Sequence, residues 1–423
     1  MGARPVVIRK RLPALLLALS FAGKIAVRFF LSRHVNYWTT GYSQYYILAK
    51  NFLSTGELFQ YRNYGPGLRE IFYALRPPLY PLFVAGVGEL THFSVLGFIA
   101  AEALVSTLTA AVVYQITTRL AAPRAAFFAA LLYAFYPYSF FHDTQLQENV
   151  LYNFFSLIAV AFLVASLEIQ KKRFFFVTGL LLGLATLARA SHQWHSVSLA
   201  LLALLILRKN PKRALLFTGL LVLGWSVSVS PWLIRNQRVT GHFILTSHGG
   251  QGLAFAHNEF AFRSYPWRSM DQSSAIFVAH LNKTQKEQLR KLSGNEVAQS
   301  RWFRTLAFDY IRGHKLQTLK RGVFKAGFNF LGILSPLHSP FENTVYFLSY
   351  WLLTLLALAS LPQVWRTSYF QIFVALTISQ ALASFAFWSH TSHRSFLDPL
   401  LAVLAGIGLA SFARKRLPNP VVI

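Results

Sequence analysis

The sequence predicts an all-α, polytopic membrane helix bundle of about ten spans. Three observations predict it. Apolar residues make up 54% of the 423 residues and charged residues only 13%, where a soluble globular chain carries roughly 25%. The apolar residues gather in runs of about 20, the length that crosses a bilayer as a helix. Basic residues collect at the ends of those runs. There is no cysteine, which excludes disulfides, thiol catalysis and cysteine metal sites. The net charge is 41 − 14 = +27. In a soluble chain that would suggest nucleic acid, but no recognition motif is present. Basic residues at span ends point instead to membrane lipids, through anionic head groups, or to a phosphorylated lipid substrate.

The spans read in order as 12–31, 95–118, 125–141, 146–167, 174–188, 193–207, 214–233, 344–362, 369–388 and 397–413. The first is kept as a span rather than a cleaved signal, because it lacks a small-residue cleavage site and contains Lys24 and Arg28. Orientation follows from the basic clusters: Arg4, Arg9, Lys10 and Arg11; Arg119 and Arg124; Lys171, Lys172 and Arg173; Arg208, Lys209, Lys212 and Arg213; Arg366; and Arg414, Lys415 and Arg416. With both termini cytoplasmic, all of these fall inside. The short outer loops after the third, fifth and ninth spans hold only Arg189 and Arg394.

The whole of 1–423 reads as one membrane domain with two long outer segments. In 32–94, Tyr42, Tyr45, Tyr46, Ala49, Phe52 and Leu53 form a stripe at helical spacing that suits the membrane interface. Arg76-Pro77-Pro78 then starts a short apolar piece, 79–90. The largest outer loop runs over 234–343, and its 234–321 part has 14 basic and 5 acidic residues. Phe303, Leu306, Ala307, Tyr310 and Ile311 predict an interfacial helix there, and 322–336 reads as a re-entrant or interfacial piece. A soluble domain is absent unless 234–321 folds as one.

Glu57, Glu70, Glu89, Asp143, Glu148 and the five loop acids all land outside, whereas Glu168 beside Lys171 to Arg173 reads as a cytoplasmic ion pair. Acid–base or metal chemistry is therefore expected to face outward. Asp143 and Glu148 are the catalytic candidates. They lie where the third span turns into the fourth, and Glu148 stands at the start of an apolar helix, where an ionisable group is costly. The bland reading is a partner for Arg189 or Arg394, or a charge favoured by the helix dipole. Arg189, Arg235 and Arg394 also stand at outer span ends. Guanidinium groups bind phosphate bidentately, although single arginines there can simply snorkel. His192 and His195, and His390 and His393, are spaced i, i+3 without a zinc-protease pattern, so they read as hydrogen-bonding interfacial histidines. His248-Gly249-Gly250-Gln251-Gly252 lacks the lysine of a phosphate loop and reads as a flexible turn. Trp38, Tyr61 and Tyr64 could stack on a flat ligand face, although an interfacial belt is the commoner explanation.

Four stretches, taken in order, resemble the multi-span GT-C glycosyltransferases, in particular the bacterial branch related to protein O-mannosyltransferases and the aminoarabinose transferase that modifies lipid A. They are Tyr45 to Gly56 followed by Arg76 to Leu82; Ala134-Phe135-Tyr136-Pro137 followed by Glu148; Gly179 to Arg189, then Pro231 to Asn236, Gly241-His242-Phe243 and Thr246 to Gly250; and Ser392 to Leu400. The resemblance implies a bundle with a cavity at the outer face of the cytoplasmic membrane. It implies a polyprenyl-phosphate-linked sugar as donor and a lipid, glycan or protein acceptor in the cell envelope. On it, Arg189, Arg235, Arg394, Arg76 and Tyr45 become substrate-binding candidates. The family's first-loop acid, a base or metal ligand, falls at about Gly41, and its following acid at Gln44; residues 36–44 hold no carboxylate. Glu148, Asp143, Glu57 or Glu70 then takes the role, or the chain binds a lipid-linked sugar without transferring it, alone or as a subunit of a glycosylation complex. A divalent metal is compatible with the family but finds no ligand set here, and no other cofactor is expected. A solute transporter fits the span number but not the missing repeats, broken helices and buried midspan charges.

Overall fold

The computed structural model describes residues 6–39, 42–63, 69–268 and 270–415. Gly41, Tyr64, Arg4 and Arg416 lie outside the described residues, as do the side chains of Arg9, Lys10, Arg414 and Lys415.

Helices stand at all ten expected positions. Among the described residues seven are long and apolar enough to cross a membrane: Arg11–Ser32, Val95–Leu120, Asn149–Ile169, Pro211–Thr240, Pro340–Ala359, Ser368–Ala386 and Thr391–Phe412. The protein is thus a multi-pass membrane protein. The other three are shorter. The 125–141 run is broken, because Tyr136 is extended and Pro137 opens a new helix, leaving Pro123–Ala134 and Pro137–His142. Lys172–Ala188 opens on two charged residues, and His192–Ile206 has only 15.

Asn149–Ile169 and Thr391–Phe412 are the most enclosed spans. Their inward residues, among them Leu157, Leu163, Leu400 and Leu404, join one core with Phe98, Val113 and Leu182. Lys172–Ala188 packs closely on Pro211–Thr240. A Cβ at Gly179 would stand 2.0 Å from the Leu221 carbonyl oxygen, and one at Gly224 2.1 Å from that of Phe176. Only glycine lets these two backbones meet, as in small-residue contacts between membrane helices.

The long segments gather at one end of the bundle. Gln44–Thr55 is the helix expected from the aromatic stripe, ended by Gly56 at φ +76°. It leads to an antiparallel hairpin, Gln60–Asn63 with Arg69–Phe72, registering Gln60 with Phe72 and Tyr61 with Ile71. The large segment does fold around a core of its own. Phe255, Tyr265, Leu289, Phe303, Ala307 and Phe328 pack together, joined by Phe72 and Leu75 from the first segment and by Trp388. The Phe303 and Ala307 side of Glu296–Gly313 faces this second core. The next helix, Lys315–Phe330, leaves Leu316, Leu319 and Val323 exposed on one face. His248-Gly249-Gly250-Gln251-Gly252 is no flexible turn: it forms most of the His248–Ala256 helix, and a Cβ at Gly250 would meet the Ser300 carbonyl oxygen at 1.7 Å.

Glu296 fastens the two segments. Its carboxylate accepts from the backbone N–H of Tyr73 at 3.0 Å and of Ala74 at 3.1 Å, and from the Ser247 hydroxyl at 2.6 Å. Glu70 accepts from the Gly294 N–H at 2.8 Å. Paired strands and bonded carboxylates satisfy backbone groups that could not otherwise be buried at this end.

Candidate active site at the loop end

Glu148 caps Asn149–Ile169 and is 4% exposed. Its Oε1 lies 3.4 Å from the Arg189 guanidinium, and its Oε2 has no hydrogen-bond partner among the described residues. A buried carboxylate oxygen of this kind retains acceptor capacity. Arg189 is fixed from behind. Its Nη1 donates to the Ser392 carbonyl at 2.7 Å and to Asn149 Oδ1 at 2.8 Å. Its charge also stands 5.5 Å over the Tyr152 ring. The 146–149 turn, the end of Lys172–Ala188 and the 387–394 segment therefore meet at one ion pair.

Tyr45 completes this group. It is 2% exposed and lies in the electrostatic field of Glu148, Arg76 and Arg189. Burial first, and then the Glu148 carboxylate, push its phenol well up, so it stands as a neutral donor. Arg76 enters from the Arg76-Pro77-Pro78 turn, and its Nη2 donates to Gln44 Oε1 at 3.2 Å. Gln44, where the resemblance expects an acid, thus supplies an amide oxygen that orients a guanidinium.

The other sequence candidates have separate commitments. Asp143 accepts from the Ser106 hydroxyl at 2.5 Å, and Ser106 accepts in turn from Lys24. The pair joins the first two spans behind the turn, and burial, offset by Lys24, raises the Asp143 carboxyl. Arg235 donates to the carbonyls of Tyr73 at 2.6 Å and Leu58 at 2.8 Å and pairs with Glu57 at 2.9 Å, clamping the first long segment. Arg394 is 1% exposed, bonds Asp398 at 3.1 Å and the Tyr346 hydroxyl, and stands 4.2 Å over the Tyr350 ring. It also borders an apolar cavity of about 200 Å³ lined by Phe330, Phe370 and Leu401. Arg189 pairs with the buried Glu148, whereas Glu57, the carboxylate on Arg235, stands half-exposed.

His390 bonds Ser392 Oγ at 2.7 Å, and its ring lies 5.6 Å from that of His393. Burial, followed by the Arg189 charge, holds His390 down at about 3, so it is a neutral imidazole. His142, with His338 beside it at 6.3 Å, is held at about 4, burial again the first cause. His192 and His195 turn inward to Ser196 and Ser379. Among the described residues no three His, Asp or Glu side chains are grouped as metal ligands. Trp38 packs against Tyr46 and Phe98, while Tyr61 on the hairpin is exposed.

Buried charges within spans, expected to be missing, are present: Lys24 and Glu102 are each fully buried. Glu102 is the sole acid in the apolar run 95–120. That solitary position was the signal that could have found it.

Residues 75–234 match a family model described as dolichyl-phosphate-mannose-protein mannosyltransferase. The match contains Arg76, Glu148 and Arg189. No curated protein matches the chain in sequence. Among solved structures, the oligosaccharyltransferase of Archaeoglobus fulgidus in its apo form superposes with a TM-score of 0.53 at 14% identity, over 95% of this chain and 51% of that one. The same enzyme tethered to an acceptor peptide gives 0.53 and 14%, over 95% and 50%. ArnT from Cupriavidus metallidurans bound to undecaprenyl phosphate gives 0.40 and 15%, over 98% and 81%. The chain spans about half the length of the oligosaccharyltransferase chains it matches. It shares the fold of the oligosaccharyltransferase, and the mannosyltransferase family model matches its residues 75–234.

Proposed function

We propose that the protein moves a sugar from a polyprenyl-phosphate-linked donor to a hydroxyl of a lipid, glycan or protein acceptor at the outer face of the cytoplasmic membrane. The observation that supports this best is the buried Glu148 carboxylate, paired with Arg189 at 3.4 Å, with the Tyr45 phenol beside it and no hydrogen bond at Oε2 to a described residue. Glu148 takes the acceptor's hydroxyl proton while the acceptor oxygen bonds the sugar's anomeric carbon. The bond from that carbon to the donor phosphate breaks on the opposite face, and its electron pair leaves on phosphate, so the configuration inverts. Arg189 and Arg76 stabilise the departing phosphate, and preorganised charge of this kind carries much of the catalysis in a water-poor site. Tyr45 supplies one neutral hydroxyl to the sugar or phosphate. Arg235 and Arg394 hold the frame around the donor.

The reading draws on the family model too, whose description names a dolichyl-phosphate-linked donor and a protein acceptor. A second reading, a non-catalytic binder of lipid-linked sugar or a subunit of a glycosylation complex, is favoured by one observation. An amide, Gln44, stands where the resemblance expects an acid, and it serves Arg76.

Mass-spectrometric profiles of glycans and glycolipids from wild-type, deletion and Glu148→Gln strains test the choice. Loss of one sugar modification in both altered strains is expected. Its loss in the deletion alone would remove Glu148 from the chemistry, and unchanged profiles in both would favour the binder.

A further inference from the structure

Glu102 is fully buried in the middle of the site's supporting structure and touches neither the ion pair nor open solvent. A carboxyl group inside an apolar span is expensive unless its bonds are made. Here they are made to three donors. The Tyr80 hydroxyl lies 2.5 Å from Oε1. The Tyr37 hydroxyl lies 3.1 Å from Oε2, and the Leu146 N–H 3.3 Å from it.

Two of these contacts lead to Glu148. Leu146 stands two residues before it with φ +54°, a left-handed conformation that costs a non-glycine residue about 1–3 kcal/mol and persists only where its surroundings impose it. The Leu146 N–H is the group Glu102 accepts from, and the Tyr37 hydroxyl also reaches the Thr144 carbonyl, 3.0 Å away in the same turn. Arg28 adds a bond to the Thr144 hydroxyl at 3.3 Å and one to the Phe141 carbonyl. On the other side, the Tyr80 ring meets the Tyr45 ring edge-on at 4.9 Å, and Tyr45 is the residue whose phenol faces Glu148.

We propose that Glu102 is a positioning residue: it holds the 144–148 turn from below and Tyr45 from the side, and so sets the Glu148 carboxylate against Arg189. This rests on the reading of Glu148 as the base. Misplacing a reacting group by about 1 Å can cost on the order of 100-fold in rate, so Glu102 acts on turnover more than on donor binding.

The test uses the full-length protein in detergent with two readouts, hydrogen–deuterium exchange over 142–149 and the affinity for a polyprenyl phosphate. The rate of the modification lost in the deletion strain is measured in washed membranes. In Glu102→Leu, uptake over 142–149 is expected to rise while 248–256 keeps its wild-type uptake, and transfer to fall ~10–100-fold. The affinity for polyprenyl phosphate stays within about twofold, since the arginines are untouched. Glu102→Gln keeps the shape and one acceptor oxygen, and is expected to fall between Glu102→Leu and wild type in both uptake and rate; it also serves if the leucine protein does not fold. Wild-type uptake or a wild-type rate in folded Glu102→Leu would overturn the positioning role. Glu148→Gln, run alongside, separates the two ideas: a fully active Glu148→Gln protein removes the base, whereas unchanged exchange in Glu102→Leu removes the positioning.

Discussion

Glu148 and Arg189 face each other at 3.4 Å, with one carboxylate oxygen on the guanidinium and the other oxygen free of described protein donors. Asp398 beside Arg394 also keeps one oxygen without a described partner, but only Glu148 has Arg189 and the Tyr45 phenol beside it where the first long segment meets the bundle. An unfilled oxygen beside a cation, with a neutral phenol at hand, is what a base awaiting a hydroxyl requires.

Arg189 is held through two parallel duties, the ion pair and the bonds to Ser392 and Asn149. Lysine keeps the charge but loses the planar fork. Arg189→Lys is expected to lower transfer about 10-fold or more through weaker donor phosphate binding, a loss of roughly 1.4 kcal/mol. Titration of the purified variant with a polyprenyl phosphate checks this, and unchanged affinity would assign the residue to the frame alone.

Glu296 accepts from two backbone N–H groups of the first long segment and from the Ser247 hydroxyl of its own segment. Glu296→Gln replaces one acceptor oxygen by a donor facing donors, so about 1–3 kcal/mol of local stability should go. Limited proteolysis is expected to cut 57–74 faster while the spans remain intact. Equal cutting rates would show that the hairpin is held by its apolar contacts with the second core.

Two histidines give the protein a pH signature. His142 and His257 are held at about 4 against an ordinary 6.5, burial being the first cause in each, followed by the nearby His338 and Lys325. The unfolded chain binds these protons below about pH 6.5, and the folded chain only near 4. Their contribution is complete above 6.5 and is lost as the pH falls from there to about 4. Melting temperature in detergent from pH 8 to 4 is expected to fall less steeply in His257→Gln than in wild type. Parallel curves would contradict the burial of a neutral His257.

Much of this was legible in the chain. Apolar runs placed a helix at each expected position, seven of them long enough to cross a membrane among the described residues, and the Glu148 and Arg189 motifs hold two side chains that pair at 3.4 Å. What escaped is what single-residue patterns do not carry. Arg394 stands at a span end like Arg189, yet it turns inward, because Asp398 one turn on offers a buried partner. Asp143 stands five residues from Glu148 in sequence, yet Lys24, 119 residues earlier, draws it behind the turn through Ser106. The second core was hidden because Phe255, Phe303 and Phe328 are spread through a polar, basic loop and become a core only when three helices fold on one another.

The measurement that tests the account most directly is sugar transfer by purified protein supplied with a lipid-linked sugar extract, wild type against Glu148→Gln. A loss of about 100-fold or more is predicted for Glu148→Gln, in line with removal of a general base, with polyprenyl-phosphate affinity and melting temperature close to wild type. Transfer at the wild-type rate by folded Glu148→Gln protein would contradict it.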